Sequence, residues 1–185
     1  MSKFTLQTPD SAPEAARALL QGVQKRMGFV PNLYANLANA PAALESYLHL
    51  SAQFEKTSFN PTERQVILLT ISVENGCEFC VAAHSMIARK IVKIPDAVVD
   101  ALRNRATVPD TRLQALSSFA RCMVKERGWV TGAPLDAFFE AGFTRQQALE
   151  VVLGVTMKTL SNYANHLTET QTNVEFSDEA WQRAA

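Results

Sequence analysis

The chain has 185 residues, and its eighteen lysines and arginines are balanced by eighteen aspartates and glutamates, giving a sequence pI of about 6.8. That length suits one domain with a substantial core, and the cancelled charge gives no electrostatic reason to expect nucleic acid or an anionic membrane as a partner. Apolar runs such as residues 66–69 are broken by Thr70 and Ser72, far short of the roughly 20 residues that cross a bilayer; residues 1–24 lack a basic n-region and an apolar h-region, so a cytoplasmic protein is expected.

Capping residues divide the sequence into helices, and no run alternates as a half-buried strand does, so the expected fold is all-α with about seven to eight helices. Ser11, Pro13 and Glu14 open a first helix with Ala16, Leu19, Leu20 and Val23 on one side, ending before Gly28. A short segment over residues 31–37 follows. Pro41 starts an amphipathic helix through Leu44, Tyr47, Leu48 and Phe54. Asn60, Pro61 and Glu63 then form a strong start signal: a capping side chain, a proline in the first turn and a glutamate three residues after the cap. The body of that helix, residues 66–73, is aliphatic nearly all round and belongs in the centre of the molecule. It should end at Asn75 and Gly76, both suited to left-handed backbone, which puts Cys77 at or near the start of a helix running to about Lys90.

Downstream, Pro95 opens a helix to about Arg105, Pro109 and Asp110 open another that closes at Gly128, and residues 131–141 form a shorter one. Thr144 with Gln147 gives a second capping box, heading a long helix to about Thr168. A faint echo links Phe59 and its capped helix to Phe143 and its capped helix. One domain is expected over residues 1–172, with a polar tail over 173–185 anchored by Trp181.

The chemistry concentrates in residues 74–84, where Cys77 and Cys80 form a CxxC pair and His84 follows four residues later. On a helix these three share one stripe. The two Cα atoms would lie roughly 5 Å apart, inside the range an unstrained disulfide needs. Two forces compete to decide which sulfur ionises. A helix N-terminus favours a Cys77 thiolate, whereas the four-residue offset favours Cys80, whose proton an imidazole at His84 can take. The spacing leans towards Cys80 as attacker and Cys77 as resolving thiol. Cys122, the third cysteine, sits among inward-facing Phe119 and Met123 and reads as inert core.

Residues 60–85, with a Pro-x-Glu-Arg start, an aliphatic run and an Asn-Gly-Cys-Glu-Phe-Cys-Val-Ala-Ala-His-Ser core, resemble the carboxymuconolactone decarboxylase superfamily, specifically its AhpD-like alkylhydroperoxidase branch. Residues 28–34 and 162–166 resemble its peroxidase-related members, so the likeness runs from about 28 to 170 and leaves out the tail. The resemblance implies an all-helical homo-oligomer, commonly a trimer or hexamer, whose CxxC reduces a hydroperoxide substrate. A dithiol or thioredoxin-like reductant then recycles it. It also implies attack by Cys80 and resolution by Cys77. Its best-known members carry a proton-relay glutamate twelve residues before the first cysteine, where this chain has Gln65. Glutamine cannot relay a proton in that way, which moves the expected relay to Glu74, three residues before Cys77, with Glu63 explained by its capping role. The cycle calls for no bound cofactor and no metal.

Other readings compete. Cys77, Cys80 and His84 could supply three zinc ligands, with His166, His49 or Cys122 as a fourth, although no second CxxC or HxxxH is present. A lyase of the decarboxylase type would not need the cysteine pair. A non-enzymatic oxidant-sensing or zinc-binding helical module is the remaining class. His166 reads either as a pocket or subunit-contact residue or as a cation near a helix C-terminus.

Overall fold

Local capping signals set the helix boundaries. The computed structural model describes residues 3–183. Among them lie nine α-helices and no strand: α1 (Glu14–Met27), α2 (Asn32–Leu37), α3 (Pro41–Phe54), α4 (Pro61–Glu74), α5 (Glu78–Met86), α6 (Asp96–Arg103), α7 (Thr111–Lys125), α8 (Ala133–Glu140) and α9 (Arg145–Thr168). A π-helical turn, Ile87–Val92, prolongs α5, and a 3-10 turn, Val174–Glu179, lies in the tail. No described helix is long and apolar enough to cross a membrane.

Both expected capping boxes form. Asn60 Oδ1 accepts the Glu63 N–H at 2.9 Å while Glu63 Oε2 accepts the Asn60 N–H at 3.0 Å, and Thr144 and Gln147 do the same at the head of α9. Each box satisfies backbone donors that the first helical turn leaves without partners. Phe59 and Phe143, the echoing aromatics just before these caps, pack on each other with ring centroids 6.0 Å apart.

Helix α4 is the axis of the molecule. Residues 65–73 are all buried, because α5, α6, α7 and α9 pack around it; an aliphatic surface with no polar face must be covered on every side. Helix α9 approaches α3 and α4 closely at Gly154, where a Cβ would lie 2.9 Å from Phe54 Cε2 and 3.1 Å from Ile67 Cγ2. Only a residue without a side chain admits that approach, and it brings the next turn of α9 against α5.

The tail returns over α5. Phe176 is buried between Phe29 and Phe79, 5.8 Å from each ring centroid. Arg103 donates to the carbonyls of Glu179 and Ala180, and the Trp181 indole donates to Arg103 O at 3.2 Å. Trp181 is thus one anchor, and Phe176 is the more deeply buried of the two.

Candidate active site

The bend between α4 and α5 builds the site. Gly76 takes φ 66°, the Cys77 N–H closes back on Ser72 O at 2.9 Å, and Cys77 becomes the N-cap of α5. Cys77 and Cys80 are both free thiols and both buried. Their sulfurs open in different directions. Cys80 lines an inner cavity of about 180 Å³ whose apolar walls include Leu68, Phe79, Met157 and Phe176. Cys77 does not line it; it borders a separate polar depression together with Glu78, Asn165, His166 and Arg183.

His84 shares the α5 stripe with Cys80, but its nitrogens turn elsewhere. Nε2 lies 3.0 Å from Lys158 Nζ and Nδ1 lies 3.0 Å from Gln65 Oε1. An ammonium has donors only, so Nε2 must be the acceptor; the ring proton then sits on Nδ1 and is donated to Gln65. Burial, and then the Lys158 charge, hold the imidazole pKa well below its usual 6.5, so the ring is neutral. His84 is half-buried, and the exposure it keeps faces the cavity.

Lys158 on α9 has no exposed surface and forms no salt bridge with a carboxylate among the described residues. Burying an ammonium without a counter-ion costs several kcal/mol. The available anion is Cys80. Burial opposes its ionisation, yet a hydrogen bond from Cys77, then the charge and hydrogen bonding of Lys158, bring its pKa down to about 5. Cys77 moves oppositely: its hydrogen bond to Cys80, then burial, raise it far above the ordinary thiol range. The pair is therefore one thiolate and one thiol.

Helix α9 supplies two more groups. Asn165 Nδ2 donates towards both sulfurs, at 3.3 Å to Cys80 and 3.5 Å to Cys77, leaving its own buried Oδ1 without a partner. Asn162 accepts from Asn75 Nδ2 at 2.9 Å; its amide nitrogen makes no well-formed hydrogen bond but adds a favourable dipole at Cys80. Tyr34 and Tyr47 also line the cavity, and burial raises both phenols, keeping them neutral.

Glu74 lies elsewhere. Its carboxylate is held by Arg121 at 2.9 Å, Arg105 at 3.4 Å and Lys125 at 3.8 Å, and it lines neither the cavity nor the Cys77 depression. Glu63 caps α4 and pairs with Arg112 at 3.2 Å. His49 is exposed, Cys122 is half-buried on α7, and His166 is exposed against Tyr163. Among the described residues no three His, Cys, Asp or Glu side chains converge as metal ligands.

Sequence reasoning brought together Cys77, Cys80 and His84, and missed Lys158, Asn165 and Phe176. One signal was available. The buried face of α9 runs through Gln147, Val151, Gly154, Lys158, Ser161, Asn165 and Thr168 at helical spacing, and a buried stripe this polar must face polar partners.

The carboxymuconolactone decarboxylase family model matches residues 38–122, which include the dithiol and His84 but neither Lys158 nor Asn165. Among solved structures, the chain is similar to an alkylhydroperoxidase AhpD core, a peroxidase-related protein from Ralstonia eutropha, at 28% identity and TM-score 0.82, covering 95% of this chain and 94% of that one. It is also similar to a peroxidase-related protein from a Silicibacter species at 20% identity and TM-score 0.80, covering 95% and 93%. A variant of the debrominase Bmp8 in complex with 2,3,4-tribromopyrrole superposes at TM-score 0.77 with 18% identity, covering 97% of each chain, a likeness of fold alone. No curated protein matches.

Proposed function

We propose that this chain, which belongs to the AhpD-like part of the carboxymuconolactone decarboxylase superfamily, reduces organic hydroperoxides through a dithiol–disulfide cycle at Cys80 and Cys77. The observation that carries the reading is geometric: a free, buried Cys80 lies beside the buried Lys158 and lines a largely apolar cavity, with a second free cysteine one helical turn away.

The Cys80 thiolate attacks the distal oxygen of the hydroperoxide; the O–O bond breaks, and Cys80 becomes a sulfenic acid. The departing alkoxide takes a proton from Lys158 and leaves as the alcohol. Cys77 then attacks the Cys80 sulfur, the S–O bond breaks, and the Cys77 proton leaves with the hydroxide as water. A dithiol, small or thioredoxin-like, reduces the disulfide, returning one proton to Cys77 and one to Lys158. Its thiolate attacks Cys77, because Cys80 has the lower pKa and is the better leaving group. The Cys77 depression is the side from which this donor enters. His84 orients Lys158 through Nε2 and is itself held by Gln65. Glu74, occupied by three cations, takes no part in the relay.

The outer face of α9 exposes Leu149, Val152, Tyr163 and Leu167, which suits contact with another copy in a homo-oligomer.

A thiol count before and after one equivalent of cumene hydroperoxide tests the cycle. Wild type should lose two thiols; Cys77→Ser should trap a sulfenic acid at Cys80, and Cys80→Ser should not react. If neither thiol responds, the peroxidase reading fails and the lyase reading replaces it. Stoichiometric zinc that is lost on mutating Cys77 would favour the zinc-binding module.

A further inference from the structure

The inner cavity is not closed at its outer end. It shares Met27, Tyr34, Ser51 and Glu55 with a larger open groove of about 680 Å³ between α1 and α3, whose floor is Leu19, Val23, Leu48 and Ala52. Cavity and groove therefore adjoin at these four residues, and Cys80 lines the inner of the two. Two charged side chains border the groove, Glu55 and Arg26. Glu55 is already offset by Arg64, Nε to Oε2 at 3.4 Å. Arg26 lines the groove at the last turn of α1 and forms no salt bridge among the described residues. It is close enough to the mouth for its charge to act on the Tyr34 phenol, against the dominant effect of burial.

An apolar channel with a reactive thiolate at its inner end and an unpaired guanidinium at its outer end is complementary to a long apolar chain with an anionic head. We infer that cavity and groove together form a channel for straight-chain hydroperoxides ending in a carboxylate, with the acid group on Arg26 and the peroxide at Cys80. The inference rests on the peroxidase reading for the reactive end only. Bulky or branched hydroperoxides can reach Cys80 but leave the groove unfilled. Arg26 is exposed, so water and salt screen its pairing and the discrimination it gives is modest, about two- to fivefold.

The test compares 11-hydroperoxyundecanoic acid with its methyl ester, which differ in the charge that Arg26 would hold and in one methyl group, at low ionic strength with dithiothreitol as reductant. The readout is the ratio of kcat/KM for acid to that for ester within one protein preparation, so a general loss of activity in a variant cancels. Wild type should favour the acid about two- to fivefold; Arg26→Gln should bring the ratio to about one, and Arg26→Lys should retain part of it. A wild-type ratio near one, or a ratio unchanged in Arg26→Gln, overturns the proposal. Calorimetric titration with decanoate and methyl decanoate, which cannot react, separates the two readings. Preferential binding of decanoate that Arg26→Gln removes, without turnover of any hydroperoxide, sinks the peroxidase reading and keeps the channel. Turnover without discrimination does the reverse. If the groove is instead covered by a second copy of the chain, Leu48→Glu will lower the mass seen by sedimentation while decanoate shows no preference over its ester, and the channel is refuted.

Discussion

Replacing Lys158 by methionine keeps most of the side chain's apolar length and removes its charge, which separates two jobs assigned to one ammonium. The first is to hold the Cys80 thiolate. With a pKa of about 5, against an ordinary value of 9.0, Cys80 is almost wholly ionised near pH 7. If the substitution returned it to the ordinary value, only about 1% would be ionised, a roughly 100-fold loss of the reactive form. A more basic thiolate is also a better nucleophile, and with a Brønsted coefficient of about 0.4–0.5 a rise of some four units regains about 40- to 100-fold. For a reagent such as iodoacetamide the two effects nearly cancel near pH 7. The pH profile does not cancel: wild type should alkylate at a constant rate between about pH 6 and 8, and Lys158→Met about tenfold faster per unit. The second job, giving a proton to the departing alkoxide, matters only for peroxide. Loss of a positioned acid costs about 10²–10⁴. The expected signature is iodoacetamide reactivity within about fivefold of wild type near pH 7 but hydroperoxide reactivity at least about 100-fold lower. Both rates can be followed by thiol loss in stopped flow. A flat alkylation profile in the variant, or equal losses with both reagents, would refute the assignment of Lys158.

Three further outcomes test the same geometry. Because the folded pKa values of Cys80 and His84 both lie below their unfolded values, the unfolded chain binds more protons, and reduced protein should lose stability as pH falls from about 8 towards 5. For Cys80 alone the slope is about 1.4 kcal/mol per unit, and urea titrations of Cys80→Ser should show a correspondingly shallower dependence. An unchanged slope would mean that the thiolate is not buried as described. Gly154→Ala pushes a methyl group to 2.9 Å from Phe54 and should cost about 1–3 kcal/mol in thermal or denaturant unfolding; a neutral result would refute the close approach of α9. Glu74→Gln should lower stability by about 1–3 kcal/mol, since a carboxylate buried among three partly exposed cations is lost. Its hydroperoxide rate should stay within about twofold, and a large kinetic loss would restore Glu74 to the relay.

The contrast between Glu74 and Lys158 shows which parts of the molecule sequence makes legible. Helix ends were readable because their determinants are local: Asn60 with Glu63, Thr144 with Gln147 and the αL glycine at 28 act within a turn of themselves. The dithiol was readable for the same reason. The side chain at 74 was placed near Cys77 by adjacency in the chain, but three cations, from α7 and the turn after α6, decide where its carboxylate points. Lys158 is 74 residues from His84, and Asn165 is 85 and 88 from the two sulfurs, so no spacing rule joins them. Phe176 was hidden in the same way, since a polar tail gives no sign of which ring will close a cavity formed 97 residues earlier, at Phe79.

Charge counting inside the site explains why glutamine suits position 65. In the dithiol form Lys158 and the Cys80 thiolate neutralise each other, and neutral His84 and Gln65 add nothing. A carboxylate at 65 would accept from His84 Nδ1 as the amide oxygen does, and its charge would sit one imidazole away from Lys158, sharing the ammonium with Cys80. Gln65→Glu should therefore raise the Cys80 pKa from about 5, and the rate of iodoacetamide alkylation, flat above about pH 6 in wild type, should go on rising towards about pH 7 in the variant. Thiol loss in stopped flow measures both profiles. A profile unchanged in Gln65→Glu would show that the charge at 65 does not reach the thiolate, and the charge count would fall with it.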